Sequence, residues 1–238
     1  MKLLLHGVLV LALAACSQTG SSDTTTAQTD STTTTTAADS TATTDTAAPM
    51  TSAGKPTEEK PMSQYEHKIA ELHTTAGQIN LRFFPDIAPG HVRNFIDLSE
   101  QGFYNNTKFH RVIPGFVIQG GDPNTISGNP ATWGTGGSPK NLKAEFNAIP
   151  HKRGILSMAR SGHPDSASSQ FFICVADVPS LDNQYTVFGE VTQGMDVVDK
   201  IVNARTGPGD RPLEPVAITK VVVRDAATDA EKAPTPKP

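Results

Sequence analysis

Ile79, Leu81 and Phe83 alternate with Asn80 and Arg82, the period-two pattern of a strand with one buried face. The preceding run, residues 66–74, has the same β character, and Ala76-Gly77 supplies a turn between the two. At Pro89 the period changes. Val92, Phe95 and Ile96 fall on one face of a helix that Pro89 opens and Gly102 closes. Short β-type runs follow at 109–113, 116–119, 155–159, 171–175, 187–191 and 216–223. A second helix is predicted over 194–204, with Met195, Val198 and Val202 at helical spacing. Many short strands, Gly/Pro punctuation and only two helices predict a mainly β fold: a closed or nearly closed antiparallel barrel with helices plugging its ends. Strands do not alternate regularly with helices, which excludes a parallel α/β fold.

The same pattern shows where no core can form. Residues 17–64 contain no Val, Ile, Leu, Phe, Tyr, Trp or Cys, and residues 226–238 are equally bare. The one Trp, three Tyr and ten Phe all lie in 65–225, which reads as a single domain. The Thr/Ser/Ala-rich stretch 16–64 cannot bury enough apolar surface to offset chain entropy and reads as a disordered linker. As a flexible chain it spans roughly 35–40 Å. A spacer and an O-glycosylated stalk are both compatible with its composition. Residues 226–238 read as a disordered tail. The net charge of −4 speaks against a basic nucleic-acid binder.

Residues 1–15 carry one positive charge, Lys2, and then an apolar run that is too short to span a bilayer, which takes about 20 residues. They read as a signal peptide. The end of the run, Leu13-Ala14-Ala15-Cys16, resembles the lipobox of bacterial lipoproteins. That resemblance implies cleavage before Cys16, a diacylglycerol and commonly an N-acyl chain (palmitate among them) on Cys16, and a lipid-anchored, extracytoplasmic place in a bacterial cell envelope. Two or more acyl chains anchor stably where one does not. Ser17, rather than Asp, follows the cysteine and points to the outer membrane if the host is Gram-negative. With Cys16 acylated, Cys174 has no disulfide partner, and its apolar surroundings in sequence make it core filler.

Two stretches carry the chemistry: Phe109-His110-Arg111-Val112-Ile113-Pro114-Gly115-Phe116-Val117-Ile118-Gln119-Gly120-Gly121-Asp122 and Ser166-Ala167-Ser168-Ser169-Gln170-Phe171-Phe172-Ile173. Arg111 falls on an apolar run. A guanidinium there either pairs with a carboxylate or is presented at a pocket, and Phe116 and Phe172 supply an apolar wall beside it. At these residues the sequence resembles the cyclophilins, peptidyl-prolyl cis–trans isomerases (rotamases). Gly134-Thr135-Gly136-Gly137, Gly154-Ile155-Leu156-Ser157-Met158-Ala159 and Val187-Phe188-Gly189 extend the likeness across 66–224.

That resemblance implies an eight-stranded antiparallel barrel closed by two helices, acting as a monomer on proline-containing polypeptides without cofactor or metal. It makes Arg111 the catalytic hydrogen-bond donor. It places Phe116, Val117, Phe172 and Leu181 around the proline, and gives Gln119 and the backbone of Ala159 and Arg160 to the substrate main chain. Gln170 lies beside them, and Tyr185 stands where many eukaryotic members have His. Ser180 replaces a Trp that contacts cyclosporin in many members, Arg160 replaces a common Asn, and residues 123–133 lengthen the loop before Gly134. For Trp133 the expected role is to pack that loop down.

The implied function is folding of exported or envelope proteins. The competing reading is a peptide-binding chaperone or interaction module with incidental catalysis, which would need the pocket but not Arg111. Other chemistry finds no support. Ser161, His163 and Asp165 sit in a turn-like run, and no G-x-S-x-G occurs. The seven His show no H-E-x-x-H motif, and Gly134–137 lacks the Lys-Ser/Thr of a phosphate loop. The anchor makes a direct prediction: Cys16→Ser moves the protein from the membrane pellet to the soluble fraction of a bacterial host. Unchanged sedimentation with membranes would refute it.

Overall fold

The computed structural model describes residues 60–228 and 231–232. The signal, the anchor Cys16 and nearly all of the linker therefore lie outside the described residues. So does most of the stretch read as a tail. Of that tail, Ala226 donates its N–H to His67 O at 2.7 Å, and Glu231 pairs with Arg224 at 2.7 Å.

The two hydrophobic periods resolve into a hairpin and a helix. Strands β1 (Lys68–Thr74) and β2 (Gly77–Phe83) pair antiparallel, with Ala70, Leu72, Ile79 and Leu81 in the core. Helix α1 (Pro89–Glu100) buries Val92, Phe95, Ile96 and Leu98. Pro89 sits in its first turn, where a missing N–H costs nothing. Ala88 at the N-cap offers no side-chain acceptor. The cap comes instead from Glu145, whose carboxylate accepts from Gly90 N and His91 N, each at 3.0 Å. A carboxylate there also complements the helix dipole.

The remaining strands are β3 (Arg111–Ile113), β4 (Val117–Gly120), β5 (Ile155–Met158), β6 (Phe171–Cys174) and β7 (Thr186–Gln193). After helix α2 (Met195–Val202) come the short β8 (Thr206–Gly207) and β9 (Arg211–Pro212), then β10 (Ile218–Asp225). Eight strands form one antiparallel sheet in the order β10-β1-β2-β7-β5-β6-β4-β3, while β8 and β9 pair separately. The β8–β9 hairpin and several one-turn 3₁₀ segments have no counterpart in the predicted elements.

The expected closed barrel is corrected: the sheet is an open half-barrel. Its two edges approach only where the chain enters them. Phe109 N donates to Val216 O at 3.0 Å, and Ile218 N donates to Thr107 O at 2.8 Å. Beyond that point the outer edge of β3 is already occupied, because Val112 N donates to Asp210 O in the β8–β9 turn at 2.8 Å. A strand whose outward donor is engaged by a loop cannot also pair with β10.

Two apolar clusters share the interior. The larger lies between the sheet and the helices. At its centre the Phe95 ring lies 5.5 Å from Phe83, 4.9 Å from Tyr104, 5.3 Å from Phe171 and 5.6 Å from Phe188. The smaller contains Phe84, Val117, Ile155, Phe172, Cys174, Leu181 and Val187. Burial there pushes the Cys174 thiol up to about 12, so it is an inert core side chain, as its sequence setting implies. Removing the central ring should leave a large void. Phe95→Ala is expected to lower unfolding free energy by about 3–5 kcal/mol in urea titrations, and a loss below about 1 kcal/mol would mean the ring cluster is not the keystone of the core.

Candidate active site

Strand register separates the core from the site. Val112 lies opposite Ile118, Ile118 opposite Ile173, and Ile173 opposite Leu156; all four belong to the larger cluster. The neighbouring positions point the other way because successive side chains alternate across a strand. Arg111 is opposite Gln119, Gln119 opposite Phe172, and Phe172 opposite Ser157. A guanidinium, an amide and an aromatic ring thus stand in a row on one face of three adjacent strands.

Arg111, Phe116, Val117, Gln119, Ala159, Arg160, Phe172, Leu181 and Tyr185 line one pocket of about 120 Å³. Its walls are the exposed side of the smaller apolar cluster, to which Val117, Phe172 and Leu181 belong. Such a space admits one small ring rather than a drug-sized ligand, whose pockets run to roughly 300–1,000 Å³. Gln170 lines a second, polar cavity of about 620 Å³ that shares Gln119, Ala159 and Arg160 with the first. The structure therefore brings all ten expected residues to two adjoining cavities.

Arg111 sits at the rim. Its guanidinium carbon is 5.8 Å from the centre of the Phe116 ring. Nη1 reaches Gln119 Oε1 at 3.5 Å, and Nε lies 3.8 Å from Asp210 on a half-exposed loop. That ion pair is long and solvated, and pairs of this kind contribute little. Both alternatives raised by the sequence hold: the cation has a carboxylate neighbour and is presented at a pocket.

A chain of amides orients the pair. Gln170 Nε2 donates to Gly134 O at 3.0 Å and Gly136 O at 2.7 Å. Its oxygen must then face Gln119, whose Nε2 donates to it at 2.9 Å. That leaves Gln119 Oε1 turned toward Arg111. The polarity of both amides follows from two backbone carbonyls. The loop bearing those carbonyls is held by buried Asp122, which accepts from Asn124 N at 2.8 Å and Gly134 N at 2.5 Å. A Cβ on Gly136 would collide with that carboxylate.

The family model for cyclophilin-type peptidyl-prolyl cis-trans isomerases matches residues 69–223. The chain belongs to the cyclophilin family. It is 45% identical over 153 residues to a peptidyl-prolyl cis-trans isomerase of Helicobacter pylori, covering 59% of this chain and 89% of that one. It is 43% identical over 155 residues to an isomerase of Arabidopsis thaliana, covering 64% and 93%. Among solved structures, a cyclophilin-type isomerase of Cryptosporidium parvum superposes with a TM-score of 0.61 at 30% identity, over 67% of this chain and 99% of that chain. The same protein crystallised in the presence of the dipeptide Ala-Pro gives 0.60 at 31%, over 66% and 99%. This cyclophilin is a peptidyl-prolyl cis-trans isomerase, and proline-containing peptides are what the family acts on.

The sequence reading passed over what lies behind the pocket. The His151 ring stacks on Phe172 at 6.0 Å and meets Tyr185 edge-on at 6.5 Å. Its Nδ1 lies 3.0 Å from Asp182 Oδ1, and its Nε2 lies 3.0 Å from Ser157 Oγ. Asp182 also accepts from His151 N at 2.7 Å. Burial holds the imidazole below its ordinary 6.5, against the pull of Asp182. In the neutral ring Nδ1–H donates to Asp182, and Nε2 faces Ser157 Oγ, whose one proton goes to Thr186 O. This Ser-His-Asp order is no hydrolytic triad, because Ser157 is fully buried and its hydroxyl also reaches Thr186 O at 2.9 Å. The array braces the floor and wall of the proline pocket. Nothing local could have flagged it, since His151 and Asp182 are 31 positions apart.

Trp133 packs against the body of the domain, the role expected for it. The Trp133 ring centre lies 5.4 Å from Lys108 Nζ and 5.1 Å from the Arg211 guanidinium carbon, and Nε1 donates to Gly128 O at 3.2 Å. The turn character of 161–165 also holds, with Asp165 N donating to His163 Nδ1.

Two buried histidines, His110 and His151, are held below their ordinary value, chiefly by burial. Unfolded, they bind protons at a pH where the folded protein does not, so stability is full above about 6.5 and falls on acidification. The Asp182 carboxyl is lowered, first by the His151 backbone N–H, and works in the same direction at still lower pH. The urea midpoint is expected to drop between pH 7.5 and pH 5, with a smaller drop in His110→Gln/His151→Gln. A flat wild-type profile would contradict the buried neutral state.

Proposed function

We propose that this cyclophilin isomerises X-Pro bonds of exported or envelope proteins, with Arg111 as the catalytic donor, as a monomer tethered outside the cytoplasm by lipid on Cys16. The chemistry demands little. Amide resonance sets a barrier of about 18–20 kcal/mol. Twisting the bond breaks that resonance and gives the proline nitrogen a lone pair. A donor aimed at that nitrogen stabilises the twisted state alone, which is differential transition-state binding. Lowering the barrier by roughly 5–7 kcal/mol would accelerate the reaction about 10⁴–10⁵-fold. No nucleophile is consumed.

The residues divide the task. Phe116, Val117, Phe172 and Leu181 hold the pyrrolidine ring in the small pocket, and Tyr185 closes its side. Gln119 and the backbone of Ala159 and Arg160 hold the flanking main chain. Gln119 Oε1 steadies Arg111, whose guanidinium presents rigid donors and stays charged. The observation that carries this reading is the position of Arg111: at the mouth of an apolar pocket, where its contact with the neighbouring carboxylate of Asp210 is long and solvated. A solved relative was crystallised in the presence of Ala-Pro, a dipeptide of the class this reading assigns as substrate. The linker and lipid, expected from sequence, would hold this site near newly exported chains.

A chaperone that binds peptides through the same pocket would not depend on Arg111. In a peptide isomerisation assay, Arg111→Ala is expected to reduce kcat/KM by about 10²–10³-fold, the usual cost of losing one transition-state donor. Equal rates for wild type and variant would remove Arg111 from catalysis and favour the binding module.

A further inference from the structure

Arg160 forms the ridge between the two cavities and lines both. Its guanidinium carbon lies 4.8 Å from the centre of the Tyr185 ring and 5.7 Å from that of Phe146. Nε donates to Gln184 O at 3.0 Å. Nη1 donates to Ser161 O at 2.9 Å and Gly162 O at 3.3 Å. A guanidinium has five N–H donors, and these contacts use three of them. Both N–H groups of Nη2 have no protein acceptor among the described residues. The charge is uncompensated as well, since all three acceptors are neutral carbonyls.

The surroundings share this bias. Arg111 and Arg160 are the charged side chains lining the two cavities, and no carboxylate lines either. Asp165 near the second cavity is turned to Ala144 N at 2.8 Å, and Asp210 lies beside Arg111 instead. A chain with net charge −4 thus presents a locally positive binding surface. The second cavity is walled by Ser138, Asn141, Ser161, Ser166 and Ser168, groups that suit a polar side chain rather than an aliphatic one. The two neighbouring rings and the three carbonyls hold the guanidinium before anything binds, so little side-chain freedom remains to be lost.

We infer that Arg160 selects substrates: the preferred peptides carry a carboxylate side chain within two residues of the isomerised proline, and that carboxylate enters the second cavity to meet Nη2. This rests on the isomerase reading and the placement of the proline in the small pocket. Charge-assisted hydrogen bonds are stronger than neutral ones. Partial solvent access and salt screening keep the effect moderate.

The test uses the full-length chain and short peptides with Glu, Gln or Lys at each position within two residues of a single proline. Glu is expected to exceed Gln in kcat/KM by about two- to fivefold at one position, with Lys below Gln there. The ratio should shrink as salt rises from about 0.05 to 0.5 M. Arg160→Gln should bring the Glu:Gln ratio near one, whereas Arg160→Lys should keep much of it. Equal rates for the three wild-type substrates at every position, or an undiminished Glu preference in Arg160→Gln, would overturn the inference. Wild type inactive on every peptide would overturn the isomerase reading itself, and that outcome is distinct from activity indifferent to charge.

Discussion

The register of β3, β4, β6 and β5 is the constraint on which the rest depends. Val112, Ile118, Ile173 and Leu156 must face the core together, because each is buried in the larger apolar cluster. Their neighbours Arg111, Gln119 and Phe172 are then forced onto the opposite face, where they meet. A slip of one residue would bury a guanidinium and expose the core set. Hydrophobic burial on one side of the sheet thus positions polar groups on the other. The site needs no separate device to collect its residues, only devices to orient them.

Orientation comes from backbone polarity. Two loop carbonyls fix Gln170, Gln170 fixes Gln119, and Gln119 turns its oxygen to Arg111. The loop is held in turn by Asp122, a carboxylate buried with its acceptors engaged. On the other side His151, Asp182 and Ser157 brace Phe172 and Tyr185 from behind. The innermost members of the two supports, Asp122, Ser157 and His151, are buried, so bonds at those groups count for more than they would in water. Preorganisation of this kind suits a reaction in which the enzyme forms no bond and must recognise only a twisted amide.

Openness of the half-barrel follows from local competition. The β8–β9 turn takes the outward N–H of Val112, and this same loop carries Asp210 alongside Arg111. A strand edge that would otherwise close the barrel becomes part of the rim of the site. Arg160 shows the same economy on the opposite rim, where Tyr185 both walls the proline pocket and stacks on the guanidinium.

Much of this was legible in the chain. Alternation in 79–83 and helical spacing from Pro89 marked β2 and α1, because both follow from the geometry of neighbouring residues. The motif around Arg111 and Gln119 carried the family and the candidate residues. Three things were not legible: the Glu145 cap of α1, the His151–Asp182 brace, and the open edge beside β3. Each joins residues far apart in sequence, and no periodicity encodes a contact of that kind. The sequence by itself determined which residues face inward, since hydrophobic pattern and strand period are local properties. Only the tertiary structure decided which polar groups meet, because every buried donor must find its acceptor from whatever part of the chain the fold brings near.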